Sequence, residues 1–153
     1  MRLRTIAPAV LLASACTSRA GEAEVRLQGG QPCFGVSVSE TRSGDKVLDG
    51  LTLQEGSATI WSVAKEDPMR GVHLSQTRCL WFGETPPGYG GSPPSALLRE
   101  GVVYELAVKA TREGESRSVL HGARFCLADP VGGGSGFARV IPRPANATSC
   151  GDP

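Results

Sequence analysis

Short runs of alternating apolar and polar residues, separated by glycine- and proline-rich turns, constrain the fold of this chain more than any other feature. Alternation with a period of two residues is typical of strands that bury one face. Runs of this kind cover 24–27, 33–39, 51–53, 58–65, 71–74, 78–82, 102–110, 120–127 and 137–141. The segments between them are rich in turn residues, as in Gly29-Gly30-Gln31-Pro32. The pattern predicts an all-β domain of short strands, either a sandwich or a barrel.

Two segments interrupt this rhythm. The stretch 83–94 has four glycines and four prolines in twelve residues, so it predicts a structured crossover loop carrying Tyr89 rather than a helix or an inner strand. Residues 143–153 form a proline-rich tail, which Cys150 would hold to the domain.

The N-terminus reads as an export signal. Arg2 and Arg4 supply its positive charge, 6–13 its short apolar core and Ala13-Ser14-Ala15 its small-residue exit. We therefore divide the chain into a signal peptide, a lipidated cysteine with its tether, a β-sandwich domain and the tail. Their predicted bounds are 1–15, 16–23, 24–142 and 143–153.

The residues at the end of the predicted signal peptide indicate how the protein is attached to a membrane. Leu12-Ala13-Ser14-Ala15-Cys16 resembles the lipobox of bacterial lipoproteins, although Ala13 stands where that family prefers Leu. The resemblance implies a lipid on Cys16, and Thr17 after it implies anchoring to the outer membrane, on its periplasmic side. Because Ala13-Ser14-Ala15 also suits ordinary signal peptidase, a soluble periplasmic or secreted protein is the alternative.

The cysteine count supports a lipidated Cys16. Setting this residue aside leaves Cys33, Cys79, Cys126 and Cys150, an even number, as expected in an oxidising compartment. Four cysteines allow three connectivities. We favour Cys33 with Cys79, because each begins a predicted strand, and Cys126 with Cys150, which would hold the tail.

One motif predicts a more specific fold. The motif consists of Leu98, Gly101 and Tyr104, followed by alternating apolar residues. It resembles the tyrosine corner of fibronectin type III and other immunoglobulin-like domains. Glu100 departs from that pattern, which usually has Pro there. The resemblance implies an immunoglobulin/fibronectin type III-like two-sheet sandwich of 7–9 short strands with two disulfides. Trp61 would then lie on a central strand and pack across the core from Tyr104.

Residues for catalysis or metal binding are scarce. No second ligand stands at metal-binding spacing from His73 or His121, and Ser135 lacks the glycine pattern of a nucleophile elbow. The acidic pair Glu66-Asp67 lies in a turn, where solvated acids are common. The sequence thus predicts no catalytic residue, no metal and no cofactor, and hence no enzyme. Its near-neutral charge, 16 basic against 15 acidic residues, argues against a nucleic-acid partner.

Binding is the remaining function class. Trp81, Phe82 and Tyr89 form an aromatic group that could serve as a recognition surface, since Trp and Tyr are enriched in interface hot spots. Trp81 and Phe82 point to opposite faces of a strand, so at least one should belong to the core.

A second resemblance suggests a partner. It rests on the signal ending in cysteine, the glycine-rich turn into Cys33-Phe34, Thr77-Arg78-Cys79, the strand start from Gly101 to Tyr104, and 124–127. In these features the chain resembles small periplasmic lipoproteins described as type VI secretion immunity proteins. The resemblance implies a lipid-anchored protein that binds and blocks a secreted toxin. The rival hypothesis is a structural envelope lipoprotein that binds a glycan or an envelope protein constitutively.

Overall fold

The computed structural model describes residues 20–130 and 134–151. The predicted signal peptide and Cys16 lie outside these residues. The described residues form β1 (Gly21–Gln28), β2 (Gln31–Val36), α1 (Val38–Thr41), β3 (Lys46–Glu55), β4 (Ala58–Lys65), β5 (His73–Leu74), β6 (Leu80–Trp81), β7 (Tyr89–Ser92), β8 (Tyr104–Arg112), β9 (Ser118–Ala128) and β10 (Arg139–Arg143). All nine predicted runs overlap a strand, which confirms the all-β class.

The strands join into one mixed sheet that curls into a half-barrel. Their order is β6-β2-β1-β9-β8-β3-β4-β7, with β10 added to β9 and β5 added to β3. Neighbouring strands are antiparallel except β1 and β9, which pair in parallel through Gly21 with His121 and Glu22 with Gly122. Two separate sheets are not confirmed, because this short parallel pairing joins what would be the two halves.

Three local features differ from the sequence-based expectation. β7 forms inside the glycine- and proline-rich segment at the sheet edge, where one side needs no backbone partner and prolines can flank the strand. The run 33–39 ends as a strand at Val36 and continues into α1. β3 extends well beyond 51–53 and runs through Asp49-Gly50, which interrupts the alternation in the sequence.

Aromatic rings fill the inside of the curl. Consecutive ring centroids lie 5.6 Å apart for Tyr104 and Phe125, 6.1 Å for Phe125 and Phe34, 5.7 Å for Phe34 and Trp61, and 5.5 Å for Trp61 and Phe82. The expected position of Trp61 opposite Tyr104 is wrong. β4, which carries Trp61, lies on the same side of the curl as β8, with β3 between them. Trp61 therefore packs against Phe34 of β2 and against Phe82.

Candidate functional site

The three residues of the expected tyrosine corner meet where β8 begins. The Tyr104 hydroxyl accepts a hydrogen bond of 2.9 Å from the backbone N–H of Arg99. Gly101 has a φ of +71°, which favours glycine, and its N–H donates to the carbonyl of Leu127 at 3.3 Å. Leu98 is half-buried and packs against the core. The contact that defines a tyrosine corner is thus present, and its role is structural.

The four described cysteines form two disulfides. Cys33 is bonded to Cys79, with their Cα atoms 5.5 Å apart, and Cys126 to Cys150, with their Cα atoms 5.9 Å apart. This is the pairing favoured from the sequence. The first disulfide is buried and joins β2 to the start of β6, whereas the second ties the C-terminal tail to β9.

The expected aromatic recognition surface does not form. Phe82 packs edge-on against Phe34 and Trp61, with centroid distances of 6.4 and 5.5 Å, so it belongs to the core. Tyr89 is buried inside the curl. Trp81 is half-buried and pairs through its backbone with Cys33. The prediction failed because β7 turns the Tyr89 ring inward, away from Trp81.

Tyr89 has a structural role instead. Its hydroxyl donates to the carbonyl of Leu48 at 2.6 Å and accepts from the N–H of Val72 at 2.9 Å. Burial raises the pKa of Tyr89 above its ordinary value of 10.0, the bond from Val72 opposes this rise, and the Asp49 carboxylate adds to it. The neutral phenol therefore fastens β7 to the backbone of β3 next to Asp49.

The two histidines lie apart from each other. His73 is exposed on β5. His121 is fully buried, with Nδ1 3.3 Å from the carbonyl of Val108 and Nε2 3.5 Å from Glu40 Oε2. The other oxygen of Glu40 accepts the N–H of Glu22 at 3.3 Å. Glu40 thus joins α1 to the start of β1 through Glu22 and lies beside the His121 ring, whose Nε2 makes no hydrogen bond within the described residues. The ring is 0% exposed, so it offers no surface for a substrate to contact.

The sheet presents an open outer face on β9, β8, β3, β4 and β7. Two cross-strand rows of mostly small residues line it, in strand order Gly122, Ala107, Thr52, Ser62, Ser92 and Leu120, Lys109, Gly50, Ala64, Gly90. Five strands at the usual spacing make this face about 19 Å wide. The small side chains of these rows leave the backbone of the outer face accessible.

A β-bulge lies at one end of the outer face. Leu48 pairs with Ala110 and Gly50 with Lys109, which leaves Asp49 between them without a partner on β8. The Asp49 Oδ2 atom accepts hydrogen bonds from the hydroxyls of Thr111 at 2.6 Å and Ser118 at 2.7 Å. The two hydroxyls lie 3.0 Å apart. The bulge thus turns a carboxylate outward and fixes it.

Around this bulge lies a concavity of about 440 Å³, which we call the charged recess. It is lined by Asp49, Lys65, Glu66, Pro68, Lys109 and Ser118. The Glu66 carboxylate lies over Gly90, where a Cβ atom would collide with it. Ser118 donates to a carboxylate, and no imidazole joins this pair within 20–130 and 134–151. The recess therefore brings carboxylate, ammonium and hydroxyl groups together around one concavity.

The recess escaped the sequence analysis for a structural reason. Asp49-Gly50 looks like a turn signal, yet both residues lie inside β3, where the bulge shifts the alternation by one residue. The break in alternation between Leu48 and Leu51 was the signal available. The partners of Asp49 on the hairpin of β8 and β9 come from the register of the sheet, which the sequence does not specify.

A second concavity, of about 510 Å³, lies between β1 and β10 and begins at Ala20. Its lining is mostly apolar and includes Ala23, Val25 and Val140. At its rim Arg124 forms an ion pair with Glu105 and donates to the carbonyl of Ala147 at 2.7 Å. The groove therefore lies beside Ala20, the first residue that the structure describes.

Within the described ranges, no group of three His, Cys, Asp or Glu residues is placed to hold a metal ion, and no helix is long and apolar enough to cross a membrane. No family model, curated protein or solved structure matches the chain.

Proposed function

We propose that the chain is a lipid-anchored, non-enzymatic binding protein of the periplasm, most concretely an immunity-type lipoprotein that neutralises a secreted toxin. The observation that carries the proposal is the cysteine pairing. Cys33, Cys79, Cys126 and Cys150 are bonded to one another, which leaves Cys16 without a disulfide partner in its own chain. A cysteine at the end of an export signal and outside the disulfide set is the residue that lipidation uses.

The outer face supports binding of a protein. A toxin is a folded partner, and protein interfaces of standard size bury about 800 Å² on each side. The outer face offers an area of five strands with charged groups at one end, which a protein surface can cover. Its small residues let the partner approach the sheet backbone closely.

We also infer that the fold is a variant of the immunoglobulin/fibronectin type III sandwich. Two observations support this assignment. The pairing β4-β3-β8-β9 on one side and β1-β2-β6 on the other follows the order expected of the two sheets of that family. The Tyr104 hydroxyl also makes the hydrogen bond of a tyrosine corner. The parallel contact of β1 with β9 is then where the first strand passes from one sheet to the other.

The anchor is tested on the full chain and its Cys16→Ala variant, each produced in a Gram-negative host. We expect the full chain to fractionate with the outer membrane and to enter the detergent phase on phase separation. The variant should be exported without a lipid and recovered as soluble periplasmic protein. Equal solubility of both proteins would contradict the anchor.

The binding function is tested with the product of the neighbouring reading frame. If that frame encodes a secreted toxin, the purified mature protein should form a tight complex with it and protect cells that express it in the periplasm. Absence of a complex at micromolar concentrations, or absence of such a frame, contradicts the immunity function. Either result favours the structural envelope lipoprotein.

A further inference from the structure

We infer that the charged recess is where the protein partner docks, and that the partner presents a cationic side chain beside an anionic one. This inference rests on the proposed binding function and adds to it the surface and its chemistry. The recess combines two acids, Asp49 and Glu66, with two bases, Lys65 and Lys109, around one concavity. A partner with both charges would satisfy both pairs.

The charged groups of the recess are not fully used by interactions within the described part of the chain. Among the described residues, Lys65, Glu66 and Lys109 take part in none of the ion pairs, although all three border the same concavity. Asp49 uses only Oδ2 for its two hydroxyl donors, and its Oδ1 accepts no hydrogen bond within the described ranges. Donors and acceptors are therefore available side by side.

The backbone keeps this arrangement open. The floor of the recess continues the row of Gly50, Ala64 and Gly90, which add almost no side-chain bulk. The bulge fixes Asp49, and the Thr111 and Ser118 hydroxyls fix its carboxylate. A fixed acceptor loses little conformational freedom when it binds, which favours affinity.

The presence of both positive and negative charges in the recess favours a partner that carries both. A purely cationic surface would be attracted to Asp49 and Glu66 but repelled by Lys109, and a purely anionic surface would meet the reverse. Like-charge contacts are a common source of specificity against wrong partners. Because Lys109 belongs both to the recess and to a row of the outer face, a protein can cover both, whereas a small zwitterion would fill the recess alone.

The test exchanges two charges without changing the net charge. The double variant Glu66→Lys, Lys109→Glu inverts the pattern at two exposed side chains that make no ion pair in the described structure. The matched control is Glu100→Lys, Arg139→Glu, an equal exchange at exposed positions outside the recess. The affinity of each for the neighbouring reading frame's product is measured by calorimetry, and the association rate by stopped-flow fluorescence at several salt concentrations.

We expect the recess variant to bind at least about tenfold more weakly, with a smaller dependence of the association rate on salt, while the control binds like the parent. Both variants should keep the parent's unfolding temperature. If the parent binds and the recess variant binds equally well, this inference is wrong while the binding function stands. If the parent itself does not bind, the proposed function fails, and this inference with it. Should the double variant unfold, Glu66→Gln alone gives the same comparison, with weaker binding supporting docking here and equal binding overturning it.

Discussion

The two faces of β3, β4, β8 and β9 differ in almost every property, although alternate residues of the same strands form them. The inner face carries side chains such as Trp61, Tyr104 and Leu53, which are 0–2% exposed. The outer face carries rows of mostly small residues that are half-buried or exposed. Burial of the inner face stabilises the domain by roughly 25 cal/mol per Å² of apolar area removed from water.

The comparison separates stability from binding along each strand. Substitutions at inner positions should lower the free energy of unfolding and affect binding only through the fold. Substitutions at outer positions should change binding and leave the free energy of unfolding nearly unchanged. The predictions below test this division, beginning with the position where the largest loss of stability is expected.

Phe34→Ala should have the largest effect. Phe34 is 0% exposed, and its ring lies between those of Trp61, Phe82 and Phe125. Removal of a buried phenyl ring and the cavity that it leaves typically cost about 3–5 kcal/mol. Urea unfolding followed by tryptophan fluorescence measures the loss, with Thr52→Ala on the outer face as the control. A loss no greater than that of the control would show that the aromatic rings inside the curl, where Phe34 of β2 meets the inner face, do not hold the fold.

Removal of the disulfides should follow in size. Replacing both Cys33 and Cys79 by Ala should cost about 2–4 kcal/mol, because the unfolded chain regains the freedom of a closed loop. The Cys126–Cys150 bond closes a loop with a sequence separation of 24 instead of 46, so its removal should cost about 0.6 kcal/mol less.

Chemical denaturation of both double variants, under non-reducing conditions, checks this order. The Cys33–Cys79 bond is also buried, between β2 and β6 on the side of the curl that faces the inner face, whereas Cys150 belongs to the tail. A larger loss from the tail disulfide would contradict both the loop-length argument and the assignment of stability to the inner face.

The inner face was largely predictable from sequence, and the outer face was not. Period-2 alternation identifies the apolar set of each strand, and the corner motif locates Tyr104, since both signals are local. The charged recess depends on which strands are neighbours and on the bulge at Asp49, and these are properties of the assembled sheet. Tyr89 was misplaced for the same reason, because its partners Leu48 and Val72 lie far from it in sequence.

Tyr89→Phe tests a polar contact at the inner side of the bulge. The loss of two hydrogen bonds should cost about 1–3 kcal/mol near neutral pH. The folded-state pKa of Tyr89 is raised above 10.0, mainly by burial, so the folded state holds the proton more tightly than the unfolded state. Its contribution is therefore complete below pH 10.0 and is lost as the pH rises through the folded pKa.

Unfolding curves recorded from pH 8 to pH 11 (roughly two pH units below to one above the ordinary Tyr value) should show the parent approaching the variant in stability at the alkaline end. Lysine titration affects both proteins alike, so the difference between them isolates Tyr89. A constant difference over the range would contradict the assigned role of the neutral phenol.

Tyr104→Phe should cost less, since it removes the single hydrogen bond to the N–H of Arg99 and keeps the ring in contact with Phe125. We expect a loss of about 1 kcal/mol. Thermal unfolding measures it, and amide hydrogen exchange at Arg99 reports the bond directly. An unchanged exchange rate at Arg99 would show that the corner is held by packing alone.

Ser62→Lys should have the smallest effect on stability, within about 0.5 kcal/mol, as is usual for surface substitutions. Ser62 pairs with Thr52 and Ser92 in a row of the outer face, and a lysine there can extend into solvent.

Val63→Lys, one residue further on, is the matched comparison, because Val63 is 3% exposed and a lysine there would place an unpaired charge against the core. Denaturation should find the first variant folded and the second severely destabilised. Because the long cation of Ser62→Lys rises among small side chains, it should also weaken binding of the protein partner. If Ser62→Lys unfolds the protein as Val63→Lys does, the outer face contributes to the fold and the division between the two faces fails.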